Sequence, residues 1–61
     1  MYELSNLEDR LSHLKGDLVA FERLLRDPWA TDWEKDRAID IIEEIEFEIS
    51  EVEQQIEDLS F

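Results

Sequence analysis

Seven apolar residues, Leu4, Leu7, Leu11, Leu14, Leu18, Phe21 and Leu25, recur at steps of 3, 4, 3, 4, 3 and 4. Only an α-helix that buries one narrow stripe satisfies this spacing. In heptad lettering, Leu4, Leu11, Leu18 and Leu25 occupy a, and Leu7, Leu14 and Phe21 occupy d. A second series, Ala38, Ile42, Ile45, Ile49, Val52, Ile56 and Leu59, repeats at 4, 3, 4, 3, 4 and 3. The chain therefore reads as two amphipathic helices, over about residues 3–26 and 32–59.

A single break at residues 27–31 divides them. Pro28 has no amide proton and pushes Asp27 out of helical dihedrals. Thr31-Asp32-Trp33-Glu34 follows with the spacing of a capping box, in which the Thr31 hydroxyl accepts from the Glu34 amide and the Glu34 side chain reaches back. Asp32 and Glu34 also suit the positive end of a helix dipole. Gly16 falls at an outward f position and weakens the first helix by about 1 kcal/mol relative to alanine. Two matched seams joined by a short turn predict an all-α fold, an antiparallel two-helix hairpin forming a single domain.

Pairing residues whose numbers sum to about 60 sets Phe21 against Ala38, Leu18 against Ile42, Leu14 against Ile45, Leu11 against Ile49, Leu7 against Val52 and Leu4 against Ile56. The largest seam residue of the first helix meets the smallest of the second. In this register Lys15 approaches Glu46 and Arg10 approaches Glu48, while Glu8 and Glu53 form a like-charge exception. Such exposed pairs contribute only about 0–1 kcal/mol each, so they bear on register more than on stability.

The seams do not use every apolar residue. Val19, Ala20 and Leu24 in the first helix, Ile39, Ile41 and Phe47 in the second, and Trp29 and Trp33 near the turn are surplus to a/d packing. They concentrate toward the turn end or the middle. Leu24, Trp29 and Trp33 fit a cap over the turn; Val19, Ile39, Ile41 and Phe47 fit a second contact surface. A chain of 61 residues buries a smaller share of its surface than a larger domain and needs support from disulfides, metal or association. It has no Cys and one His, which leaves association. A homodimer of hairpins forming a four-helix bundle is the expected form, with Val19, Leu24, Trp29, Trp33, Ile39, Ile41 and Phe47 as the candidate dimer or partner interface.

The formal net charge is −12, from 18 acids and 6 bases. Residues 33–61 carry eleven acids and two bases, and no base follows Arg37. Asp40, Glu43, Glu44, Glu46, Glu48, Glu51, Glu53, Glu57 and Asp58 coat the second helix everywhere but its seam. This coat is either a solubilising face or an anionic surface for a basic protein, in its sharpest form a mimic of nucleic acid that inhibits a DNA- or RNA-binding protein. It disfavours direct binding to nucleic acid or to anionic membranes.

Catalysis is not expected. The Glu-x-x-Glu spacings among Glu43, Glu44, Glu46, Glu48 and Glu51 point outward rather than into a bundle core, with no histidine to complete a metal set. His13 is an exposed c residue with no Cys or Ser beside it, and a single Gly excludes a glycine-rich phosphate loop. No metal or cofactor is therefore expected. No apolar run approaches the ~20 residues that span a bilayer. The segment MYELSNLEDR lacks a basic n-region and an apolar h-region, so the expected location is cytoplasmic, or host-cytoplasmic for a phage-encoded protein.

With both seams, Leu4 to Leu25 and Ala38 to Leu59, spanning nearly the whole chain, the plan resembles the ROP-type helical hairpin. That resemblance implies dimerisation. ROP-like proteins also bind paired RNA loops through a basic helix face, which this chain lacks, so an RNA role is not implied. In size and charge the chain also resembles small acidic accessory proteins of bacteriophages.

Overall fold

The computed structural model describes residues 2–60. Helix α1 spans Tyr2–Arg26 and helix α2 spans Asp32–Leu59. They pack side by side along a rod with extents of 45 × 14 × 12 Å. The fold is all-α, a helical hairpin.

Local hydrogen bonds build the turn. The Asp27 amide donates to the Leu24 carbonyl at 3.2 Å, and the Ala30 amide donates to the Asp27 carbonyl at 3.2 Å. The Trp29 amide donates to Asp27 Oδ1 at 2.9 Å, an Asx-type bond that turns the backbone without help from distant residues. Thr31 then caps α2 from extended dihedrals (φ −74°, ψ 160°). Its Oγ1 accepts from the Glu34 amide at 3.1 Å, while the Thr31 amide donates to Glu34 Oε1 at 3.2 Å. The capping box expected from the sequence is formed. Arg23 and Arg26 in the last turn of α1, and Asp32 and Glu34 in the first turn of α2, suit their helix dipoles. The far end of α2 has no base in its last turn and closes on Glu57 and Asp58, the unfavourable sign for a helix C-terminus. There Ser60 ends the helix, its amide and hydroxyl both donating to the Ile56 carbonyl at 3.0 and 2.9 Å.

The core is thin. Among the described residues only Ala38, Ile45 and Val52 are buried, Ile45 less completely than the other two. All three are d residues of α2, one heptad apart, on the line that faces the axis of α1. The seam residues of α1 from Leu4 to Leu25, and Ile42, Ile49 and Ile56 of α2, are half-buried. Two helices shield one stripe between them, and no third element among the described residues covers the flanks. A fully buried Val or Ile contributes about 1.5–3 kcal/mol, so most seam side chains contribute a fraction of that. Arg10 Nη2 lies 4.0 Å from Glu48 Oε2, a g-to-g pairing that agrees with the register read from the seams. Lys15 and Glu46, the other opposite-charge pair in that register, form no ion pair.

Candidate functional site

The hairpin brings the surplus apolar residues to three places rather than one, with Trp29 apart from all three. The first is a groove of about 150 Å³ near the turn, lined by Phe21, Leu24, Trp33, Arg37, Ala38 and Ile41 together with Glu34. It exists because Ala38 is the smallest residue of the α2 seam: with only a methyl group at that level, the neighbouring side chains form walls around a hollow. Trp33 forms one wall, 68 % exposed, with the Arg37 guanidinium 5.4 Å from its ring centroid. That separation is within the range of a cation–π contact, which holds both side chains on the rim.

Trp29 stands apart at the tip of the turn, 90 % exposed. Trp29 does not join Leu24 and Trp33 in a cap over the turn, contrary to the expectation from sequence. The Asx bond from its own amide to Asp27 fixes the backbone so that the indole projects outward, and Leu24 and Trp33 meet without it.

The second place is the e-side flank of the seam, where Val19 and Ile39 are 48 % and 46 % exposed. Val19 is a b residue and Ile39 an e residue, so both lie on the side of the hairpin opposite the Arg10–Glu48 pair. The third is the back of α2. Phe47, 66 % exposed, lines a shallow hollow with Asp40, Glu43, Glu44 and Glu48. Grouping Phe47 with Val19, Ile39 and Ile41 as one continuous surface is therefore not what the fold produces; its neighbours are carboxylates.

All nine acids from Asp40 to Asp58 are exposed. Glu48 meets Arg10, and Asp58 Oδ1 accepts from Gln54 Nε2 at 3.2 Å; the side chains of the other seven make no hydrogen bond or ion pair with described residues. An open cleft at the far end of the rod is lined by Glu3, Asn6, Leu7, Gln55, Asp58 and Leu59. Four polar residues line it at the open end of the rod, which makes it a continuation of the solvated surface. Among the described residues, no group of three His, Cys, Asp or Glu side chains is placed to hold a metal ion. No helix among the described residues is long and apolar enough to cross a membrane. His13 is exposed on α1.

No family model matches this chain, and neither the curated proteins nor the solved structures yield a match.

Proposed function

We propose that this chain is a non-enzymatic, self-associating helical hairpin that acts by contact with a protein partner. Two copies associate through exposed apolar surface that a single hairpin leaves uncovered. The observation that carries this reading is the thin core: a seam of Leu and Ile that stays half-buried in the single hairpin, beside exposed Trp29, Trp33, Val19 and Ile39. A core this thin leaves a chain of 61 residues short of buried apolar area, and association is the way to cover what the hairpin leaves exposed. Sedimentation equilibrium or light scattering from low to high micromolar concentration tests it. A species that stays monomeric throughout that range refutes it.

A second reading, inhibition of a nucleic-acid-binding protein by mimicry, is favoured by one separate observation. The carboxylates of α2 are exposed along a straight 28-residue helix, about 42 Å long at 1.5 Å per residue. A basic groove would meet a rigid anionic rod with almost none of its charge already paired. Capture of such a protein must be competed by DNA or RNA and lost at high salt; capture that survives both excludes mimicry. The size and charge fit a bacteriophage-encoded accessory protein in the host cytoplasm under either reading.

A further inference from the structure

Charge and apolar surface are distributed in opposite senses along the rod. The turn third, residues 22–37, has five acids and four bases, a net −1. The middle third, residues 13–21 with 38–47, has five acids and one base, a net −4. The open third, residues 1–12 with 48–61, has eight acids and one base, a net −7. Exposed apolar side chains run the other way. Trp29, Trp33 and the groove floored by Ala38 lie in or beside the turn third, Val19, Ile39 and Phe47 lie in the middle third, and Leu59 is the one exposed large apolar residue in the described part of the open third.

We propose that the surface joining two copies is the turn third, so that in the dimer the two turns lie together and the acidic ends point apart. This inference rests on the self-association reading and specifies its geometry. A chain of net charge −12 repels its own copy, and the turn third is the one stretch where that repulsion nearly vanishes. Laying two hairpins antiparallel along their whole length would set each −7 end against the other copy's turn. By register it would also bury Val19 and Ile39 against Ser5, Ser12 and Glu53. Laying them parallel along their whole length would set −7 beside −7. Contact confined to the turn third avoids both.

The same end carries a projection and a hollow. Trp29 stands out on a backbone held by the Asp27 bond, and the groove between Phe21, Leu24, Trp33 and Ile41 lies about two helical turns behind it. A two-fold axis at this end presents the Trp29 of each copy to the groove of the other, the self-complementary arrangement such an axis requires. Tryptophan and arginine, the residue types enriched in interface anchors, are both present as Trp29, Trp33 and Arg37. Each indole buries at most about 150–250 Å². Four of them give on the order of 600–1,000 Å², the size of a weak and reversible interface rather than an obligate one.

The absence of Cys allows clean single-site spin labels. Asp32→Cys and Glu57→Cys are both exposed positions, and each substitution removes one acid, so the two labelled proteins match in charge. At a concentration where scattering reports dimers, the Asp32 label is expected to give a short distance between copies. The Glu57 label is expected to give one longer by at least half the 45 Å rod. Equal distances at the two sites, both long for an antiparallel bundle or both short for a parallel one, overturn this geometry and leave self-association standing. Absence of dimers at every concentration overturns both. Trp29→Ala, at a side chain too exposed to support the hairpin, is expected to raise the dimer Kd at least tenfold with the circular dichroism spectrum unchanged. An unchanged Kd removes Trp29 as the anchor and overturns the proposed contact.

Discussion

Gly16→Ala tests whether the outer face of α1 is as free as it looks. Gly16 lies inside a continuous helix, Tyr2–Arg26, and a Cβ built on it meets nothing within 4 Å. No positive φ occurs among the described residues, so alanine is not strained there. The substitution should then gain the full helix-interior difference between the two residues, about 0.8–1 kcal/mol. Typical stability per residue puts a chain of 61 residues at roughly 3–9 kcal/mol, so the gain is a sizeable fraction of the whole. For a domain of this size it corresponds to a rise in Tm of about 4–8 °C. Thermal and urea melts followed by circular dichroism, at one low concentration to hold any self-association fixed, read this directly. Because the added methyl touches nothing, the urea m-value should stay constant. A Tm that is unchanged or lower refutes the reasoning: it would mean that another helix approaches α1 at Gly16 closely enough to exclude a methyl group.

Three further outcomes are expected. Val52→Ala removes two methyl groups from the largest fully buried side chain and should cost about 2–3 kcal/mol in urea melts; the same truncation at half-exposed Val19, measured on the monomer, should cost less than about 0.5 kcal/mol. Thr31→Ala breaks the capping box and should destabilise the hairpin by about 1 kcal/mol, with lost helicity concentrated at the start of α2 in amide exchange. If the copies meet through the near-neutral turn third, the dimer Kd measured by sedimentation should change little between about 50 and 500 mM NaCl, whereas facing acidic thirds would tighten strongly as salt screens them.

The hairpin itself was legible because each helix carries one uninterrupted 3-4 repeat and because Pro28 and the Thr31–Glu34 box act on their immediate neighbours. Register followed from seam pairing, and the Arg10–Glu48 contact agrees with it. The Asx bond at Trp29 was not anticipated, although Asp27 two residues before it was a visible signal. The surplus apolar residues were legible as a set but not as a surface. A helical repeat gives each residue an angle on its own helix; only the packed pair shows that Ile41 turns toward Leu24 and Trp33 while Phe47 sits among carboxylates. Nor does the repeat reveal that the d residues of α2 are buried more deeply than those of α1. That asymmetry arises where the smaller Ala38 and Val52 lie beneath Phe21 and Leu7.

The turn also has a kinetic consequence. Its hydrogen bonds join residues no more than four apart, so they form without the entropy of closing a long loop. The outermost layer, Leu4 with Ile56, joins residues 52 apart, and α2 ends there against its own dipole. The hairpin is expected to close as a zipper that starts at Asp27–Glu34 and runs toward the acidic end, with the order reversed on unfolding. Substitutions near Thr31 should then slow folding, whereas those at Leu7 or Val52 should mainly speed unfolding. The charged end would be the last part to form and the first to open.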